Sequence, residues 1–138
     1  MISHIELNVS DLEASTRFYL RALQPLGFQV ADRGEGYVRL TNGKDAVVVL
    51  CPVANRHSHR SYHRKGVGLS HFALAVDSQD AVDAFEAHLA AIGIPLLGEG
   101  KLHTEYRRGY STLAFEDPDR VMIEIAYAAP HYYSFDPP

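Results

Sequence analysis

The sequence predicts an α+β fold built from two copies of one βαβββ module. Three observations carry this. The dipeptide Ser3-His4 recurs as Ser70-His71, an alternating strand pattern follows each copy, and a helical pattern follows each strand. Identities keep one offset through the first strand and helix, pairing Leu7 with Leu74, Val9 with Val76, Ala14 with Ala81 and Phe18 with Phe85. The match then slips by one residue, so that Gly27 answers Gly93. Self-similarity that preserves the order of elements marks a repeated structural unit.

In the first strand Ile5, Leu7 and Val9 alternate with His4, Glu6 and Asn8. His4 and Glu6 therefore face away from the side that a helix covers. Ser10-Asp11-Leu12-Glu13 has the form of a capping box, which predicts a helix starting there. Ala14, Phe18 and Ala22 give that helix an apolar side, and Pro25 with Gly27 ends it. Residues 28–32, 37–41 and 46–51 read as strands, turned at Gly34-Glu35-Gly36 and at Asn42-Gly43.

The second module repeats this order. A strand is expected over 69–76, with His71 on the face that carries the small residues Ala73 and Ala75. A helix is expected over 78–92, with Ala81, Phe85, Leu89 and Ile92 as its apolar stripe, and strands near 95–97, 111–116 and 121–126. Matching the turn Asp117-Pro118-Asp119-Arg120 to Asn42-Gly43-Lys44-Asp45 aligns the last strands and is read as placing Glu124 where the first module has Leu50. The single domain thus comprises module one (1–54), a linker (55–66), module two (67–127) and a tail (128–138).

The linker carries His57, His59 and His63 but no carboxylate and no apolar period, so a solvated connector is expected there rather than a metal site. Residues 98–109 are also irregular and carry Lys101, His103, Tyr106, Arg107 and Arg108, the makings of a substrate entrance.

The chain has 138 residues and a formal charge of -4, enough to bury a core and without long-range attraction to nucleic acid or acidic membranes. A small neutral or modestly charged partner is expected. No window approaches the roughly 18 consecutive apolar residues of a membrane span. Met1-Ile2-Ser3-His4 enters the first strand without a basic, apolar leader, so a cytoplasmic protein is expected. Cys51 is the only cysteine, which rules out a disulfide within the chain; behind a valine-rich strand it reads as a buried, inert thiol.

Glu124 is the only charged group on its strand face, and an unpaired carboxylate buried in a strand is costly. If the two sheets fold into one cup, a divalent cation bound by His4, His71 and Glu124 removes that cost and accounts for all three positions. Two imidazoles and one carboxylate leave coordination positions open to water, substrate or dioxygen, as a catalytic metal requires. The ion expected is one divalent metal: iron, manganese, nickel or zinc. Glu6, His103, Tyr106 and Tyr110 are the candidates for acid–base catalysis, and Arg107 for substrate binding.

The segments 2–12, Phe18-Tyr19, Leu26-Gly27-Phe28, 69–76, Phe115-Glu116-Asp117-Pro118-Asp119 and Ile123-Glu124 together resemble the vicinal oxygen chelate superfamily, which joins glyoxalases, bleomycin resistance proteins and extradiol dioxygenases. The resemblance runs to about Tyr127. It implies two βαβββ modules forming a metal-centred cup, usually in a homodimer, with modules paired within one chain or across two. It also implies a metal-dependent enzyme, a lyase, dioxygenase or relative, whose small substrate chelates the ion through vicinal oxygens. The alternative within the family is a metal-free ligand-binding or drug-sequestering protein of bleomycin-resistance type.

Departures from the family pattern narrow the reaction. Glyoxalase I enzymes carry a carboxylate at the end of the first module, where this reading places Leu50, so glyoxalase isomerisation is disfavoured. Extradiol dioxygenases commonly have a tyrosine where Ala114 stands. Fosfomycin-modifying enzymes usually have a small hydroxyl residue in place of Glu6, and a carboxylate there repels a phosphonate. Arg120 replaces a glycine that usually ends the Asp-Pro-Asp turn.

Overall fold

The computed structural model describes residues 2–58, 62–98, 109–130 and 132 in full, and 102–103 as backbone. Module one runs β1 (Ile5–Val9), α1 (Leu12–Ala22), β2 (Gln29–Gly34), β3 (Tyr37–Thr41) and β4 (Val47–Pro52). Module two runs β5 (His71–Ala75), α2 (Gln79–Ala91), β6 (Leu102–His103), β7 (Tyr110–Glu116) and β8 (Met122–Ala128). Each module forms a four-stranded sheet, in the orders β1-β4-β3-β2 and β5-β8-β7-β6. The first strand of each module pairs parallel with the last, and the remaining pairs are antiparallel. This is the predicted βαβββ repeat.

The chain divides into two compact units. The first is Met1–Gly68 with Asp117–Val121, and the second is Leu69–Glu116 with Met122–Pro138. The turn between β7 and β8 thus belongs to the first unit, because α1 holds it. The Tyr19 hydroxyl donates to Asp117 Oδ2 at 2.9 Å, and the Ser10 N–H donates to Asp119 Oδ2 at 2.9 Å. Asp117 Oδ1 accepts from the N–H groups of Asp119 and Val121 at 2.9 and 2.8 Å, which closes the turn on itself. Burial raises the Asp117 carboxyl above its ordinary range even though these hydrogen bonds pull it down.

In the first unit, Leu7, Val9, Val38, Leu40, Val48 and Leu50 form the buried side of the sheet. The helix meets β3 and β4 with Ser15, Thr16, Tyr19 and Ala22; of the predicted stripe Ala22 is buried as expected, while Ala14 and Phe18 are only half-buried. Two of these polar residues tolerate burial because their hydroxyls are bonded: Thr16 donates to the Leu12 carbonyl at 2.6 Å, and Tyr19 to Asp117. A hydropathy reading ranks such residues below alanine and phenylalanine. The N-cap also moves one residue, from Ser10 to Asp11, whose carboxylate accepts the Ala14 N–H at 2.9 Å.

In the second unit Ser78 caps α2, accepting the Ala81 N–H at 3.1 Å, and Val82, Phe85 and Leu89 are buried against β7 and β8. Phe85 stacks on Phe115 with ring centroids 6.3 Å apart. The strand expected near 95–97 is reduced to an isolated bridge between Leu96 and Phe115 and a bond from the Leu97 N–H to the Ala114 carbonyl at 2.8 Å. Pro95 has no N–H to give a ladder, and Gly98, at φ 72°, turns the chain away. Leu102–His103 takes the edge position instead, opposite Thr112 and Ser111.

Arg120 is the only non-glycine residue with positive φ among the described residues, at 68°. Arg120→Gly should raise the unfolding free energy by about 0.5–1 kcal/mol in urea denaturation, the left-handed strain relieved less the chain entropy that glycine adds. Tyr19→Phe leaves the buried Asp117 short of a donor and should cost about 1–3 kcal/mol. Burial, and then the neighbouring Asp117 charge, hold the Tyr19 phenol well above its ordinary 10.0. A raised folded-state pKa contributes stability that is complete below the unfolded value and is lost as pH rises beyond it. Wild-type Tm should therefore fall more steeply than that of Tyr19→Phe above about pH 10.

Candidate functional site

The register of the second sheet builds one face around Glu124. Ala73 and Ala114 pair with Glu124 from either side, His71 pairs with Met122, and Thr112 with Ala126. Ile123 and Ile125 take the opposite side and are fully buried. Alternation thus puts His71, Thr112 and Glu124 on one face, with alanines beside the carboxylate.

Glu124 is 8% exposed. Its Oε1 lies 3.7 Å from His71 Nε2 and its Oε2 lies 3.5 Å from Thr112 Oγ1. Both distances exceed those of strong hydrogen bonds. The carboxylate therefore sits between two polar groups without a short bond to either, an arrangement suited to accepting a further electrophile.

Both histidines are held in the same way. Ser3 Oγ lies 2.9 Å from His4 Nδ1, and Ser70 Oγ lies 3.2 Å from His71 Nδ1. In each pair the serine occupies the Nδ1 side of the ring and leaves Nε2 as the nitrogen for a ligand. The dipeptide that recurs in the sequence is a recurring geometry. Among the described residues no three His, Cys, Asp or Glu side chains are gathered as a metal site. The donors of His71 and Glu124 nevertheless fit a divalent cation, since the carboxylate is buried, weakly bonded and faced by an imidazole Nε2.

The first unit holds a cavity of about 550 Å³ on the sheet face of His4 and Glu6. Ser3, His4 and Glu6 line it with Gly36, with Tyr37 and Arg39 of β3, and with Val47, Val49 and Cys51 of β4. Val49 pairs with Glu6 on one side and Arg39 on the other, so the three stand in one row across the sheet. Arg39 Nη1 is 3.4 Å from Asp32 Oδ2, and its guanidinium carbon lies 5.8 Å from the Tyr37 ring centroid. The Tyr37 hydroxyl donates to the same Asp32 oxygen at 2.8 Å. Cys51 is half-buried on the cavity wall rather than buried as expected, because its side chain lies on the open face of β4; desolvation, then the charge of Glu6 and a hydrogen bond with it, still push its thiol up.

One sequence expectation needs correction. Glu6 stands at the place of Ala73 in the repeat and pairs with Val49, whereas Ala73 pairs with Glu124. Val49 rather than Leu50 is thus the counterpart of Glu124. Turns of equal length, 42–46 and 117–121, carry one strand onto the other with that offset, and Leu50 lies fully buried on the α1 side. The first module still lacks a carboxylate on its last strand.

Of the other sequence candidates, His103 is placed only by its backbone, opposite Ser111. Tyr106 and Arg107 lie outside the described residues. Tyr110 begins β7, and its ring stacks on Tyr132 with centroids 4.8 Å apart. In the linker, His57 accepts from Arg56 Nε at 3.1 Å and His63 Nδ1 accepts from the Lys65 N–H at 3.2 Å, while His59 lies outside the described residues. Sequence reasoning missed Thr112 and Arg39. The signal for each was strand alternation, Thr112 being in phase with Ala114 beside Glu124, and Arg39 lying between the inward Val38 and Leu40.

Comparison with known proteins agrees with this architecture. A family model described as Glyoxalase/Bleomycin resistance protein/Dioxygenase superfamily matches residues 1–125. The uncharacterised protein YqjT of Bacillus subtilis (strain 168) is 32% identical over 122 residues, covering 88% of this chain and 94% of YqjT. A proposed glyoxalase from Bacillus halodurans superposes with a TM-score of 0.79 at 28% identity, covering 91% of this chain and 94% of that one. The fosfomycin resistance protein FosX of Listeria monocytogenes gives a TM-score of 0.73 at 16% identity, covering 96% and 94% of the two chains. At that identity the likeness shows the fold alone. With two βαβββ modules, each opened by the same Ser-His pair, and a family match over most of its length, the chain belongs to the glyoxalase, bleomycin resistance protein and dioxygenase superfamily.

Proposed function

We propose that the protein is a metal-dependent enzyme, a lyase or dioxygenase, acting on a small substrate that chelates one divalent ion through vicinal oxygens. The observation that supports it most is Glu124, buried and facing His71 Nε2 without a short hydrogen bond. His4, His71 and Glu124 are the proposed ligands. A bound iron, manganese, nickel or zinc ion would supply Lewis-acid polarisation of the substrate oxygens.

The remaining roles belong to the chain itself. Ser3 and Ser70 hold the imidazoles in position through Nδ1, and Thr112 steers the Glu124 carboxylate. Glu6, on the wall of the cavity, is a proton acceptor on the substrate side. His103, Tyr106 and Tyr110 remain candidates for proton transfer, and Arg107 for holding substrate. The reading includes a homodimer and a cytoplasmic setting; no helix among the described residues is long and apolar enough to cross a membrane.

A second reading, a metal-free protein that binds or sequesters a drug-like ligand, draws on the 550 Å³ cavity with its tyrosine and valines. Elemental analysis of protein purified without chelator separates the two. The enzyme reading predicts about one equivalent of a divalent metal, absent from His71→Ala and Glu124→Gln. Thr112→Val should hold the ion about 10-fold more weakly while keeping the fold. No metal after repletion would overturn the enzyme reading in favour of the binding protein.

A further inference from the structure

The open faces of the two sheets differ most in one row. Module two fills it with Ala73, Glu124 and Ala114, and module one with Glu6, Val49 and Arg39. Each row carries one carboxylate, on opposite strands, but only module one adds a cation. Neighbouring strands lie about 4.8 Å apart, so Glu6 and Arg39 stand roughly 10 Å apart at the backbone with Val49 between them.

Among the described residues, the contacts of Arg39 position it without saturating it. Asp32, opposite Arg39 in the ladder, contacts one guanidinium nitrogen at 3.4 Å, and the same carboxylate oxygen also accepts the Tyr37 hydroxyl. The Tyr37 ring lies beneath the guanidinium carbon. A guanidinium presents five N–H donors in a planar fork, and the Arg39 side chain is 48% exposed, so most of that fork remains available to the cavity.

We propose that Arg39 anchors a carboxylate on the small molecule held in this cavity, with Val47 and Val49 packing a short apolar stretch of it. This rests on the function proposed above only in taking that molecule to be the substrate. Desolvation decides between a carboxylate and a phosphate. The pull of the one guanidinium in the cavity lining grows in proportion to the ligand's charge, whereas the cost of taking that charge out of water grows with its square, so a monoanion is held at the smaller penalty. The planar fork also matches a planar carboxylate in a bidentate manner.

The test is a ¹H–¹⁵N NMR titration of the full chain with hexanoate, hexanamide and inorganic phosphate, in chelator-treated buffer. Failure of metal binding then has no bearing on the outcome. Hexanoate should shift the amides of β3 and β4 that line the cavity and should bind about tenfold more tightly than either other probe. Arg39→Gln should erase the preference for hexanoate over hexanamide. Asp32→Asn, which removes the competing carboxylate, should tighten hexanoate severalfold, and opposite responses of the two variants cannot arise from a shared loss of fold. Equal affinity for hexanoate and hexanamide, tighter binding of phosphate, or an unaltered preference in Arg39→Gln would overturn the assignment.

Discussion

A parallel strand pair cannot be closed by a tight turn. Each module therefore runs through a helix and two antiparallel strands before its last strand returns beside its first. That return sets where every candidate functional side chain stands. It brings β8 against β5 so that Glu124 lies next to the strand of His71, and β4 against β1 so that Val49 lies next to Glu6. The register is firmly specified. A slip of one residue would turn the fully buried Ile123 and Ile125 out of the core and Glu124 into it.

Two buried carboxylates show how the same desolvation cost is met in two ways. Asp117 accepts three hydrogen bonds between 2.8 and 2.9 Å, from Tyr19, Asp119 and Val121, and fastens the β7–β8 turn to the first unit. Among the described residues, the polar contacts of Glu124 are at 3.5 and 3.7 Å. A fully bonded acid is a structural device, whereas a loosely bonded one at 8% exposure suits the role of metal ligand proposed for it above. The alanines beside Glu124 leave room for such a metal, and Ser70 lies at Nδ1 of the His71 ring.

Much of this was legible in the sequence because alternation and repetition are long-range patterns that need no knowledge of contacts. The faces of His4, His71 and Glu124 and the order of elements all followed from them. Other features depend on partners distant in sequence. The buried side of α1 includes Thr16 and Tyr19 because a backbone carbonyl and Asp117 satisfy their hydroxyls, and the tie between Tyr19 and Asp117 spans 98 positions. The N-cap moved to Asp11, while the Ser10 N–H went to Asp119. Arg39 and Thr112 looked like ordinary strand residues until cross-strand register set Arg39 in one row with Glu6 and Thr112 beside Glu124. Tyr106 and Arg107 lie outside the described residues.

In the proposed function both repeated imidazoles and Glu124 bind one divalent ion. Electron spin echo envelope modulation on the Mn(II)-loaded protein counts bound imidazole nitrogens directly. Two are expected in the wild type and one in each of His4→Ala and His71→Ala if that proposal holds. A signal from a single imidazole that survives His4→Ala unchanged would contradict it, and would leave the Ser-His pair of the first module without a role in metal binding.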